Sequence, residues 1–161
     1  MARLLVVHHS PTPTARMLTA AVLAGANDDA IEGVEVVVRP ALKATAADVL
    51  AADGYLLGTT ANFGYMSGAL KHFFDTIFLE AGGALSDDGS AAPGGDGKKP
   101  FGLWVHGRYD TAGAVRSVQT IVHALPWFQA APVLEALGDV TDEDTAAAYE
   151  LGATVAALLS D

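Results

Sequence analysis

Residues 54–77 read GYLLGTTANFGYMSGALKHFFDTI. The first five, GYLLG (54–58), are an unbroken apolar run between glycines, the pattern of a strand buried on both faces of a parallel sheet. From Met66 the period changes, and Met66, Leu70, Phe73 and Ile77 share one face at helical spacing. The order is strand, polar loop, amphipathic helix.

The same unit recurs on either side. Upstream, ARLLVVH (2–8) reads as a strand, SPTPT (10–14) as a loop, and Leu18, Val22 and Ala26 as one stripe of a helix. EVVVR (35–39) is a second strand after Gly33, and a short helical piece follows at 46–52. Downstream, FGLWVH (101–106) is a fourth strand, and Val115, Val118, Val122 and Leu125 mark the next helix. PVLEAL (132–137) is the fifth strand. Thr141 caps a last helix whose first turn holds Asp142, Glu143 and Asp144, where the helix dipole favours anions. Its buried stripe is Ala148, Leu151, Val155 and Leu158. Alternating strands and helices predict an α/β fold: one domain over 1–161, with a doubly wound five-stranded parallel sheet in three α/β/α layers. The stretch GGALSDDGSAAPGGDGKK (82–99) has six glycines and no apolar periodicity, and is expected to be a flexible connector.

With 161 residues, 51% of them hydrophobic, the chain is long and apolar enough to bury a large core. A formal net charge of −10 argues against nucleic acid and against anionic membrane surfaces as partners. The absence of cysteine excludes disulfides, thiolate zinc, iron–sulfur ligation and a Cys nucleophile. No apolar run approaches the ~20 residues of a membrane span, so no membrane insertion is expected and the expected setting is cytoplasmic.

Ligands of open α/β sheets bind beyond the carboxyl ends of the strands. Three unusual segments fall there. In HHSPTPTAR (8–16), Ser10, Thr12 and Thr14 place hydroxyls just before a helix whose first backbone N–H groups suit a terminal phosphate. The same residues also suit a simple helix cap. In GTTANFGYM (58–66), Phe63 and Tyr65 flank Gly64, an arrangement suited to a flat heterocycle. In HGRYDTAG (106–113), Tyr109 is placed to stack on a ring and Arg108 to face an anion, while Thr111 suits a helix cap.

These three loops, in this order, resemble the flavodoxin-like FMN proteins. The segment 58–75, GTTANFGYMSGALKHFFD, is similar to that of the tryptophan-repressor-binding-protein-like NAD(P)H:quinone oxidoreductases and the NADPH-dependent FMN reductases. The resemblance implies a flavodoxin-like sheet and FMN as cofactor. It implies that Ser10, Thr12 and Thr14, with the backbone of Pro13 and Ala15, wrap the phosphate. Thr60, Ala61, Asn62, Phe63 and Gly64 would edge the isoalloxazine ring and ribityl chain. His106, Gly107, Arg108, Tyr109 and Asp110 would close the other side, with Tyr109 stacking. Pro13 and Ala15 depart from the pattern: each removes one phosphate donor that relatives often have. The activity implied is transfer of reducing equivalents from NAD(P)H, as co-substrate, to a quinone, another flavin or a similar acceptor. No catalytic side chain is expected, because the flavin carries the hydride chemistry. A homodimer is compatible with that resemblance.

Two alternatives stay open beside that enzyme. One is an electron carrier of the flavodoxin type, which the acidic charge suits. The other is an interaction scaffold of the same fold that no longer binds FMN. Other classes fail on their residues. There is no GxGxxG, no Gly-Lys-Ser/Thr, no acidic pair after the first strand and no G-x-S-x-G around Ser67. No metal site is expected, since His8 and His9 are adjacent on a strand and point to opposite faces.

Overall fold

A computed structural model of the protein describes residues 1–82 and 98–160. The connector expected at 82–99 therefore lies, for 83–97, outside the described residues. Its ends are regular: Gly82 closes a helix, and Lys99 already begins a strand.

Along the chain run β1 (Ala2–His8), α1 (Pro13–Ala26), β2 (Val34–Pro40), α2 (Ala46–Ala51), β3 (Gly54–Asn62) and β4 (Tyr65–Met66). Then come α3 (Gly68–Ala81), β5 (Lys99–Gly107), α4 (Ala112–Val122), β6 (Trp127–Gln129), β7 (Leu134–Leu137) and α5 (Asp142–Ala157). The sheet has the order β2-β1-β3-β5-β6, and these neighbours are all parallel. Alternate residues of each central strand enter opposite layers, as a doubly covered sheet requires. Leu4, Val6, Leu56 and Trp104 meet α1 and α5. Leu5, Val7, Tyr55, Leu57, Leu103 and Val105 meet α2, α3 and α4. Tyr55 stacks on Trp127 with ring centroids 3.9 Å apart, and its hydroxyl donates to the Val49 carbonyl at 2.8 Å. Burial pushes that phenol far above the ordinary tyrosine range.

Several boundaries differ from expectation. The third strand does not end at Gly58. Its β-branched Thr59 and Thr60 keep the ladder with Val105 and His106, and it runs on to Asn62. There it turns back in a two-residue hairpin onto β4, pairing Asn62 with Tyr65 and Ala61 with Met66. Met66 thus belongs to a strand rather than a helix, though it is buried as expected. The expected fifth strand (132–137) is β7, beginning at Leu134, and an unexpected short strand, β6, precedes it; the two pair with successive parts of β5. Pro132, lacking an N–H, sits in the gap between them. Leu158 lies beyond α5 and is exposed.

The layer of α1 and α5 is built by close approach. A Cβ on Gly25 would fall 1.9 Å from the Tyr149 carbonyl oxygen, and one on Gly152 would fall 2.0 Å from that of Val22. Only glycine admits the two backbones at this distance. The Tyr149 hydroxyl also donates to Asp28 just past α1, which holds that carboxyl below the ordinary aspartate range.

Candidate functional site

At the carboxyl ends of β1, β3 and β5 the chain leaves a cleft of about 420 Å³. Thr12, Pro13 and Thr14 line it from the start of α1, Thr60, Ala61 and Asn62 from β3, and His106, Gly107 and Arg108 from β5 and its loop. All nine are among the residues expected there. None is acidic, in a chain with nineteen Asp and Glu. Hydroxyls, one histidine and one arginine make this an anion-compatible recess in an otherwise negative molecule.

The α1 side is set by its cap. Thr12 is the N-cap, and its Oγ1 accepts from the Ala15 N–H at 3.1 Å. Pro13 occupies the first helical position, where a missing N–H costs nothing. The Arg16 N–H reaches the Thr12 carbonyl at 3.0 Å. Among the described residues the Thr14 N–H has no acceptor, so it and the Thr14 hydroxyl remain for a ligand.

Ser10 stands elsewhere. Its Oγ lies 2.8 Å from His8 Nδ1 and 2.7 Å from Thr19 Oγ1, and Thr19 donates to the Ala15 carbonyl at 3.0 Å. A carbonyl can only accept, which fixes the direction of the whole chain. Thr19 gives its proton to Ala15, Ser10 gives its own to Thr19, and His8 Nδ1–H donates to Ser10. Burial, with the charge of neighbouring His9 second, lowers the His8 pKa below its ordinary value, so the neutral ring is favoured. The Ser10 hydroxyl therefore braces the loop from beneath, and is not presented to the cleft.

On the floor, Thr60 and His106 are register partners on adjacent strands. Thr60 is 6% exposed, and its Oγ1 has no hydrogen-bond partner. Such an orphan is costly unless something else completes it. His106 Nε2 lies 2.7 Å from the Gly138 carbonyl, and the Gly138 N–H returns to the Gly107 carbonyl at 2.8 Å.

The rims are aromatic. Phe63 takes φ +53 and Gly64 φ +72, the paired left-handed turn that fits a tight hairpin. A phenylalanine there is strained, and its ring is fully exposed, as is the Tyr109 ring at 94%. Gly64 lies in the same turn, outside the lining. Ala15 is buried beneath the cap. Asp110, placed by expectation against the ligand, instead accepts from the Ala112 N–H at 2.9 Å and so starts α4. Thr111 makes no cap; its hydroxyl donates to Glu135 at 2.8 Å. Sequence reasoning did not find the supports: Thr19, Gly138, and Gly113, which receives the hairpin tip. Each acts through tertiary contact, and no local pattern announces it. Among the described residues no three His, Asp or Glu gather as a metal-holding group, and no helix is long and apolar enough to cross a membrane.

No protein-family model matches the chain. A curated relative named "Flavodoxin", from Aquifex aeolicus (strain VF5), is 34% identical over 92 residues, which cover 57% of this chain and 48% of that protein. The match thus spans about half the length of the curated relative. Among solved structures, an archaeal flavodoxin has a TM-score of 0.77 at 16% identity, covering 98% of each chain. Oxidised Flavodoxin 1 from Bacillus cereus gives 0.77 at 15% identity, over 99% of this chain and 100% of that one. A flavodoxin described as WrbA-like, from Agrobacterium tumefaciens, gives 0.71 at 20% identity, over 99% and 98%. The strand order, the layers and these likenesses agree, and the protein has a flavodoxin-like α/β fold.

Proposed function

We propose that the protein is a redox flavoprotein that holds FMN in the cleft between the starts of α1 and α4. The observation that carries this reading is the lining itself: three threonines, His106 and Arg108 without a single carboxylate, beside a helix start with a spare N–H. The orphaned Thr60 hydroxyl fits a ligand that completes it. Pro13 withholds one donor, yet the hydroxyls of Thr12, Thr14 and Thr60 remain for the phosphate. When bound, the isoalloxazine ring supplies the chemistry, taking up and releasing electrons. The chain's own part is to bind the phosphate, seat the ring between the Phe63 and Tyr109 rims, and leave one edge open to a partner.

Two finer readings follow. The similarity to a protein named flavodoxin and the net charge of −10 favour an electron carrier. The segment GTTANFGYMSG (58–68) and the likeness to a WrbA-like protein favour an NAD(P)H-dependent oxidoreductase acting on a quinone or flavin. The visible spectrum of the protein after adding FMN and desalting tests the shared reading. Retained flavin bands support it, and a colourless protein overturns it. NADH or NADPH oxidation by the loaded protein, with a quinone present, then separates the enzyme from the carrier.

A further inference from the structure

We propose that the protein pairs with a second copy of itself through the open edge of β2, antiparallel and about a two-fold axis at Val37. β2 ends the sheet and has β1 on one side only. The Ala2 N–H donates to the Gly33 carbonyl at 2.9 Å, and the Ala41 N–H to the His8 carbonyl at 2.8 Å. Strand alternation between these two bonds turns the backbone groups of Glu35, Val37 and Arg39 toward β1, and those of Val34, Val36 and Val38 outward. Among the described residues the outward N–H groups meet no acceptor. The Arg39 guanidinium alone reaches over the edge, donating to the Val38 carbonyl at 3.1 Å. Edge strands that stay solitary are commonly short, bulged or broken by proline. β2 runs for seven residues in unbroken register with β1, and its one proline, Pro40, stands at the last position.

The residues of the strand select the partner. In VEVVVRP (34–40), Glu35 and Arg39 stand equally far from Val37 and on one face. Turned antiparallel about Val37, each copy sets its Glu35 opposite Arg39 of the other. The same register sets Val36 opposite Val38, so that their outward groups exchange two hydrogen bonds, and brings the Val34 N–H to the Pro40 carbonyl. A slip of two residues keeps the backbone bonds but separates the charges. On pairing, the Arg39 guanidinium turns to Glu35 of the second copy and frees the Val38 carbonyl for the Val36 N–H. Glu35 already meets Arg3 at 2.9 Å and Arg39 meets Asp48 at 3.4 Å, yet their side chains stay 47% and 43% exposed, open to a second partner. These four charges line a recess of about 330 Å³ between β2 and α2. They sum to zero in a chain of net charge −10, so this edge lacks the self-repulsion of the molecule as a whole. Beside it α2 turns Ala47, Leu50 and Ala51 outward at helical spacing, an exposed and uncharged flank for the second copy to cover.

The test is sedimentation of the full chain over a range of concentrations, for the wild type, Glu35→Arg, Arg39→Glu and an equal mixture of the two variants. Either variant alone meets like charges at both pairs of the dimer, whereas in the mixture each pair is again opposite in sign. The expected result is a wild-type dimer, self-association weakened roughly tenfold or more in each variant, and recovery in the mixture. The intrachain pairs with Arg3 and Asp48 stay broken in the mixture, so they cannot produce that recovery. A wild type that is monomeric at its highest soluble concentration overturns the proposal. So does a dimer indifferent to both reversals, or one that mixing does not restore. Should a reversal not fold, Val36→Pro decides, because its N–H points outward and β2 keeps every bond to β1. That variant is expected to be monomeric, and a persisting dimer, which would use another face, overturns the proposal. Hydrogen exchange of the wild type needs no variant. The amides of Val34, Val36 and Val38 are expected to exchange more slowly as concentration rises, and rates independent of concentration overturn it.

Discussion

The carbonyl oxygen of Gly64 rests on Gly113 so closely that a Cβ there would come within 1.8 Å of it. This contact fastens the tip of the β3–β4 hairpin to the first turn of α4, and so fixes the aromatic rim relative to the third loop. In an ordinary helix, Gly→Ala gains about 1 kcal/mol. Here the clash is with backbone, and overpacking of this kind costs about 1–3 kcal/mol. Gly113→Ala is therefore expected to lower stability in urea denaturation and to weaken FMN binding. A stabilised variant with unchanged affinity would show that the hairpin tip moves freely.

Thr14 keeps both its N–H and its hydroxyl for the cleft. Thr14→Val retains the shape and removes one hydroxyl donor, so FMN affinity should fall by ~1–2 kcal/mol, with riboflavin little affected. A titration giving equal losses for both flavins would place the phosphate elsewhere.

Tyr109 is 94% exposed, so little packing holds its ring among the described residues. Tyr109→Ala should therefore leave thermal stability within about 0.5 kcal/mol, as for other surface changes. The visible spectrum or midpoint potential of bound flavin should change. If both stay put, the ring lies against Phe63 alone.

His8 supplies a pH dependence of known sign. Its pKa is lowered from 6.5 in the fold, so the unfolded chain takes the proton first as pH falls. The stability contributed by the neutral ring is complete above that value and is lost on acidification below it. His8→Gln keeps a donor for Ser10 but does not titrate. The stability difference between wild type and variant should shrink in the wild type's disfavour from about pH 6.5 downward, as followed by urea unfolding at several pH values. A difference independent of pH would mean that His8 is equally protonated in both states.

The strands were legible where burial is two-sided. LLVV (4–7) and LLG (56–58) need no context, because an unbroken apolar run has nowhere to go but the centre of a sheet. The short edge strand β6 was not legible: it is three residues long, so the periodicity that marks a strand never accumulates, whereas β7 falls within the expected 132–137. The hairpin at Phe63–Gly64 lacks the Asn-Gly or Asp-Gly signal of its turn, and it read as loop. In the site, position along the sheet edge sufficed to collect the nine lining residues. Direction did not: the hydroxyls of Ser10, Thr12 and Thr14 look alike in sequence, yet His8 and Thr19 turn the first of them inward.

The close seating of α1 on α5 has a consequence for how the protein is made. The first wall of the cleft stands at the start of α1, whose apolar stripe is covered by a helix beginning at Asp142. A ribosome adds roughly 5–20 residues each second, so that stripe stays uncovered for many seconds after it emerges. The cleft is accordingly among the last features to mature, although its first wall is among the earliest synthesised. An unfinished chain ending before α5 would show an exposed apolar helix where the finished protein has a closed layer.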